Sequence, residues 1–434
     1  MKMKFIKMGI NGEGIGYADH IPVFCDGVFP GEEAEVEITQ KNKTYWRAKL
    51  LRITFFSKER VRTEYKYAVE EGCPLFEMKY PCQLIHKKEL LEEALIKYGN
   101  VKRTLVRDIH PSPITLGYRS QCKLPVQEDH HLVQTGMYVP GTNHWHMIDR
   151  SLIQDPLLEK TRVKILKRVG RSYMHVWDPK EEKGLRYLVM RCIDGKIQCT
   201  LVTGKDKVHK ELIDDIMSIN EIQGLFQSIN TDKKSVQIFG SEVHKLAGED
   251  TQSVTMEGIA LQLSPQSFFQ LNIPQARELY HMAVSKIDPC DTLVEAYCGI
   301  GAMSLMAHEK AKHIYGIEAV EDAVNNAKMN AKNNGIENAE FICADAAAGL
   351  DQIAAETKID VILADPPRSG MDEAMIASIL KARPKKIIYV SCNPATLARN
   401  LKDLKHKYHV ATVIPYDLFP HTPLVESITV LERG

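Results

Sequence analysis

The chain has 434 residues, of which 44% are hydrophobic and 26% charged, proportions that exclude disordered, collagen-like and fibrous classes. That length exceeds what one hydrophobic core commonly fills, so two or three domains are expected. Lys+Arg and Asp+Glu balance at 56 each, and the start MKMKFIKMGINGEG reaches Gly and Asn before any apolar run of signal-peptide length, so a cytoplasmic protein without a membrane helix is expected.

The first 57 residues alternate short β-type runs (HIPVFCDGVF, EEAEVEIT, YWRAKLLRI) with Gly, Pro, Asn and Asp, which predicts a small β-barrel. From Lys41 to Arg62 eight basic residues, Lys41, Lys43, Arg47 and Lys49 leading, face one acidic residue, Glu59, with Tyr45, Trp46, Phe55 and Phe56 interleaved. Basic side chains neutralise phosphates and aromatic faces stack on unpaired bases, so the stretch suits single-stranded RNA; a solvated strand face with core-filling aromatics reads equally well. Residues 84–100 carry apolar positions at helical spacing.

Beyond Thr115 a β-rich stretch (GYRSQCKLPV, RYLVMRCIDGKIQCTLVT, SVQIFG) is broken by the helical segments EKTRVKILKRVG and KELIDDIMSIN, and it ends near Glu257. The rhythm then changes to helices alternating with TLVEAYC, HIYGIEA, EFICADA, VILADPP, KIIYVSC, ATVIPYD and SITVLER, which predicts an open, mostly parallel sheet whose last two strands pair antiparallel. The expected fold class is α/β: a barrel over 1–57, a linker and central α+β domain over 58–255, and a doubly wound Rossmann-like sheet over 256–434. The helix near 84–100 is expected against the last of these.

Leu293 to Ala296 runs into Tyr297-Cys298-Gly299-Ile300-Gly301 and then a helix, a turn whose glycines let backbone approach a ligand beyond the strand ends. The next two strands end in Glu318, placed for a ribose diol, and Asp345, placed for an adenine amino group. The third glycine of the dinucleotide fingerprint is missing, since Met303 and Ser304 follow Ala302. A phosphate-free adenosyl ligand, S-adenosylmethionine, therefore fits better than NAD.

The following strands deliver Asp365-Pro366-Pro367-Arg368 and Cys392-Asn393-Pro394. Ten Cys in such a chain are read singly rather than as a disulfide framework. Nine suit a buried core; Cys392 opens a helix, where the N-terminus is expected to favour a thiolate.

The pattern GEGIG (Gly12, Gly14, Gly16), the Val28-Phe-Pro-Gly31 turn and Glu33 resembles the TRAM domain, an RNA-binding barrel. The segments SPQSFFQ (Ser264 to Gln270), LVEAYCGIG, GIE, LADPPRSG, IIYVSCNPATLARNL and FPHTPLVESITVLER resemble the bacterial TRAM-bearing RNA 5-methyluridine methyltransferases. The resemblance implies Cys392 as nucleophile on uracil carbon 6 and Glu426 as the base removing the carbon 5 proton. It places Gln270, Tyr297, Glu318 and Asp365 around the cofactor with Asp345 near adenine, and Asp365 and Arg368 at a flipped uracil. Phe268 and Phe269 are either stacking platforms for the substrate or helix packing. Relatives often hold a four-iron cluster on a Cys-x5-Cys-x2-Cys run and a later Cys. Here Cys73 and Cys82 stand, while Lys79 and Ser151 occupy the other two positions, so no cluster is expected.

The resemblance favours 23S rRNA, with tRNA as alternative, and a monomer. RNA 5-methylcytosine enzymes place a second Cys where Arg368 stands, and adenine N6-methyltransferases follow their PP motif with an aromatic. A small-molecule methyltransferase would leave the basic barrel without a role. A non-catalytic RNA-binding or ribosome-assembly factor is the rival from another class; it predicts a damaged pocket or a missing nucleophile.

Overall fold

Five short strands, β1 (Lys2–Met8), β2 (Gly14–Ala18), β3 (Ile21–Cys25), β4 (Glu33–Lys41) and β5 (Trp46–Phe55), close into a barrel in the order β1-β2-β3-β5-β4. The computed structural model describes residues 1–139, 142, 144–234 and 237–434. Alternate residues point inward, and Met3, Phe5, Val23, Val28 and Val36 form the barrel core. The glycine motif is steric: a Cβ at Gly16 would lie 2.6 Å from the Lys4 carbonyl and one at Gly14 2.7 Å from that of Val28. Helix α1 (Tyr80–Gly99) follows, with Pro81 in its first turn and Asn100 in a left-handed cap.

The middle of the chain comprises β6 (Gln121–Asp129), β7 (Leu132–Tyr138), β8 (Trp145–Met147), α2 (Pro156–Val169), β9 (Leu185–Ile193), β10 (Lys196–Thr203), α3 (Lys210–Met217), β11 (Ile222–Ile229) and β12 (Val243–Gly248). The strands form a sheet in the order β12-β11-β10-β9-β6-β7-β8, and Leu158, Ile165, Val169, Leu212 and Ile216 of the two helices join its core. Of the expected SVQIFG strand, Ser235 and Val236 lie outside the described residues, and Gln237 to Gly240 form no strand: Asn230 Nδ2 holds the Gln237 and Ile238 carbonyls instead, at 2.9 and 3.0 Å.

A hairpin, β13 (Gln252–Met256) and β14 (Ile259–Leu263), leads into the alternating region: α4 (Ile273–Ser285), β15 (Cys290–Ala296), α5 (Ala302–Met306), β16 (Ala311–Glu318), α6 (Glu321–Asn333), β17 (Ala339–Cys343), α7 (Ala346–Glu356), β18 (Val361–Ala364), α8 (Glu373–Ala382), β19 (Lys386–Ser391), α9 (Pro394–Leu404), β20 (Tyr408–Tyr416) and β21 (Glu426–Arg433).

The chain divides into two units, one of residues 1–113, 285–287 and 350–434, the other of 114–284 and 288–349. In the second, β16 pairs parallel with both β15 and β17. In the first, β18 and β19 pair parallel, and β21 runs antiparallel between β19 and β20, as the sequence led one to expect for the last two strands. All four residues of β18 are buried, as in a strand covered on both faces. Also in the first unit, α1 packs on α9, where a Cβ at Gly99 would lie 3.4 Å from the Ala398 Cα.

Candidate active site

In the first unit, the turns after β18 and β19 are tied to each other. Asn393 Nδ2 and Thr396 Oγ1 donate to the Arg368 carbonyl at 3.2 and 3.3 Å, and Arg399 donates to that of Ser369 at 2.7 Å. Asn400 accepts from Met371 N and from Tyr389 Oη, at 3.0 and 2.9 Å. Gly370 bridges at φ +76°, where a Cβ would stand 2.7 Å from Asn400 Oδ1. Arg368 and Cys392 consequently line one cavity of about 190 Å³, with Asn393, Pro394 and Leu424 in its wall.

Burial pushes the Cys392 thiol up to about 11, and the charges of Glu426 and Asp365 add to the rise while Arg368 opposes it. The expected lowering by the helix N-terminus is overturned: Cys392 precedes the cap, Asn393 accepts the Ala395 N–H at 3.0 Å, and Pro394 has no N–H to offer. Burial also raises the Glu426 carboxyl to about 8, with Asp365 as a second cause, and raises that of Asp365 to about 7. Glu426 opens β21 and is buried.

The linker before α1 and α1 itself are bonded to the segment before Glu426. Leu75 N donates to the His421 carbonyl at 3.0 Å, and Gln83 Oε1 accepts the His421 N–H at 2.8 Å. Lys87 Nζ donates to Asp417 Oδ1 at 2.5 Å and to the Phe419 carbonyl at 2.9 Å. Cys73 is buried and Cys82 half-buried beside this linker, while Ser151 in the other unit takes the Gln154 N–H on its hydroxyl. Two thiols do not supply the donor set of a four-iron cluster. Among the described residues no group of three or more His, Cys, Asp or Glu side chains gathers as a metal site.

In the second unit the glycine turn is built on positive φ: Tyr297 at 64°, Gly299 at 53° and Gly301 at 79°. A Cβ at Gly299 would meet nothing within 4 Å, so the backbone there is open. Glu318 accepts the Gly299 N–H at 3.1 Å and the Val320 N–H at 2.9 Å, so the carboxylate sits directly at the turn. Asp345 is exposed and accepts the Ala347 and Ala348 N–H groups as the cap of its helix. Glu295, which the sequence reading passed over, is buried and accepts the Ser304 N–H at 2.6 Å. One N–H of the first turn of α5 is thereby taken by a carboxylate, whose negative charge suits a ligand without phosphates. A carboxylate inside an apolar strand was the available signal.

Gln270 is buried at the end of SPQSFFQ. Arg191, also not singled out in the sequence, fixes that segment: its guanidinium donates to the Ser264 carbonyl at 2.8 Å and that of Ser267 at 3.0 Å. Phe268 and Phe269 lie outside any helix, which removes helix packing as their common explanation: Phe268 is 70% exposed and Phe269 4%.

On the barrel, Lys41, Lys43, Arg47 and Lys49 are exposed, and the Lys41 ammonium lies 4.5 Å from the Trp46 ring centroid. Two other members of the basic run are committed internally. Arg52 forms a two-pronged pair with Glu35 at 2.9 and 2.7 Å, and Arg60 pairs with the buried Glu32 at 2.8 Å and with Glu77. Phe55 and Phe56 are more than half exposed, at 59% and 53%.

Residues 80–434 match the family model for tRNA (uracil-5-)-methyltransferases, and residues 5–51 match the TRAM domain. The chain belongs to the tRNA (uracil-5-)-methyltransferase family. Two proteins named as uncharacterized RNA methyltransferases are similar throughout: one from Bacillus cereus is 33% identical over 98% of this chain and 95% of its own, and one from Clostridium tetani 34% over 98% and 94%. The crystal structure of the Pyrococcus abyssi tRNA (uracil-54, C5)-methyltransferase in complex with S-adenosyl-L-homocysteine shares the fold, with a TM-score of 0.78 at 24% identity over 99% of this chain and 100% of that one. The expected family and enzyme class are thus met: this RNA (uracil-5-)-methyltransferase carries its TRAM domain as the closed five-stranded barrel. Among the described residues no helix is long and apolar enough to cross a membrane.

Proposed function

We propose that this methyltransferase transfers a methyl group from S-adenosylmethionine to carbon 5 of a uridine in 23S rRNA, through a transient bond from Cys392 to carbon 6. The observation that carries the reading is the clustering of Cys392, Glu426, Asp365 and Arg368 in one unit, with the Glu426 carboxyl raised to about 8 and that of Asp365 to about 7. Carbon 5 of uracil is too poor in electrons to attack a sulfonium methyl unaided. Addition of the Cys392 sulfur to carbon 6 turns the ring into an enolate whose carbon 5 accepts the methyl. Glu426 then removes the carbon 5 proton and the carbon–sulfur bond breaks, returning the thiolate. A base with a pKa close to the working pH suits that step. Arg368, which draws the Cys392 thiol downward against burial, favours the thiolate and faces the uracil with Asp365.

Bound S-adenosylmethionine supplies the electrophilic methyl. Gln270, Tyr297, Gly299, Gly301, Glu318 and Asp345, all of the second unit, are the residues that would hold it: Glu318 keeps lone pairs for a ribose diol, and the open backbone at Gly299 admits the ligand. The exposed Phe268 is the stacking platform of its pair. Lys41, Lys43, Arg47 and Lys49 neutralise RNA phosphates on the barrel. One chain carries nucleophile, base and barrel, which fits a monomer.

The rRNA assignment follows the TRAM-bearing bacterial members of the family. tRNA stands as the second reading: the archaeal tRNA enzyme shares the fold over 99% of this chain, so the barrel does not discriminate between the two. Incubating 23S rRNA and tRNA transcripts with the protein and labelled S-adenosylmethionine, followed by nucleoside mass spectrometry, tests the reading. 5-Methyluridine in 23S rRNA alone supports it, in tRNA alone moves it to the second substrate, and in neither overturns it in favour of a binding factor.

A further inference from the structure

The cavity that holds Cys392 and Arg368 does not end at them. Its other wall is the C-terminal half of α1, with Leu90, Ala94, Lys97 and Tyr98, and the tip of the β1–β2 turn, Ile10. Three features of that wall are unexpected for a packing surface. Tyr98 is 57% exposed and Ile10 48% exposed, although both border a cavity. The Lys97 ammonium lies 5.0 Å from the Tyr98 ring centroid. Glu93, the one acid in this wall, pairs with Lys7 at 2.9 Å, and among the described residues no carboxylate stands at ion-pair distance from Lys97. Tyr17 of β2, 47% exposed, lies within electrostatic reach of both Lys7 and Lys97.

We infer that Tyr98, Lys97 and Ile10 form a seat for the nucleotide next to the methylated uridine, the base stacking on Tyr98 and its phosphate on Lys97. The inference rests on the proposed uridine chemistry at Cys392. At about 190 Å³ the cavity lies under the roughly 300–1,000 Å³ of sites for drug-sized ligands and suits a single base. Cys392 and Arg368 claim the uracil, so the RNA chain must leave past the exposed rim. There an aromatic face beside a cation meets it, the arrangement that holds unpaired bases. The seat lies on the β1–β2 side of the barrel, apart from the basic β5 strand. It makes this enzyme sensitive to the presence of a neighbouring base through contacts that take no part in bond making.

The test uses the full-length protein and a synthetic RNA oligonucleotide spanning the uridine mapped on whichever transcript is methylated, together with copies in which each neighbour in turn is abasic. Tyr98→Ala should raise KM for the intact oligonucleotide by about 5- to 150-fold, the range of ~1–3 kcal/mol for stacking on an aromatic, with kcat little changed, while Tyr98→Phe stays near wild type. One abasic position should impose the same loss on the wild type and no further loss on Tyr98→Ala. Lys97→Ala, on an exposed side chain, serves as second variant and should raise KM and flatten its salt dependence. An unchanged KM in both variants, or a Tyr98→Ala loss shared equally by every abasic copy, overturns the seat while leaving the chemistry standing. If the wild type methylates no RNA, the proposed function fails and the seat fails with it.

Discussion

Lys87 Nζ lies 2.5 Å from Asp417 Oδ1 with both side chains wholly buried, so an ion pair inside the first unit joins α1 to the segment that runs into Glu426. Burial lowers the Lys87 pKa, and the Asp417 carboxylate opposes that. The linker that the two remaining cysteines cannot hold by a cluster is tied by Gln83, whose Nε2 donates to the Leu75 and Met78 carbonyls, and by the Leu75 N–H on the His421 carbonyl, while the ion pair anchors α1 itself.

Removing one partner leaves an unpaired buried charge, which costs about 3–5 kcal/mol. Lys87→Met should lower the urea midpoint accordingly. The double variant Lys87→Met, Asp417→Leu should recover most of it, since apolar replacement of both partners is close to neutral. Equal midpoints for the single variant and the wild type would show that the pair holds nothing.

Glu426→Gln should trap the enzyme on RNA, because sulfur addition and methyl transfer proceed while proton removal does not. A slow-migrating band on a denaturing gel, containing methylated RNA and abolished by adding Cys392→Ala, is the expected outcome. Turnover of Glu426→Gln at the wild-type rate would assign the base elsewhere.

The raised Glu426 carboxyl has a signature in stability. Its folded pKa of about 8 exceeds the ordinary value of 4.5, so between these the folded protein binds more protons than the unfolded chain, and stability falls as pH rises. Glu426→Gln removes this loss. Its melting temperature should exceed that of the wild type by a margin that grows from pH 5 to pH 8 and then levels off. A margin constant across that window contradicts the raised carboxyl.

Neutralising Lys41, Lys43, Arg47 and Lys49 together should weaken RNA binding and reduce the slope of log affinity against log salt by roughly 0.7 for each phosphate no longer neutralised, the value for single strands. Arg60→Ala should leave that slope unchanged and lower stability, because its guanidinium is spent on Glu32 and Glu77. Filter binding over a salt series separates the two.

The order of elements was legible because it is written in neighbours along the chain. Apolar runs at strand length, glycines at GEGIG and YCGIG, and the strand endings at Glu318, Asp345, Asp365 and Cys392 are local patterns; Glu318 ends β16, Asp365 and Cys392 directly follow β18 and β19, and Asp345 stands two residues past β17 as the cap of α7. The long α1 likewise followed from helical spacing, though its start at Tyr80 preceded the pattern that announced it.

Acidity and partnership were not legible, because both depend on groups brought together from distant points in sequence. The helix terminus alone argued for a thiolate at Cys392, yet burial and two carboxyls, from the ends of β18 and β21, raise its thiol instead. Spacing could not tell Phe268 from Phe269, nor the exposed Lys49 from the enclosed Arg60; those divisions follow from what packs above each side chain. The sequence by itself determined which residues end the strands and hence which chemistry is on offer. The tertiary structure decided which charges are desolvated and which are paired, since burial and Coulomb energy are sums over neighbours in space.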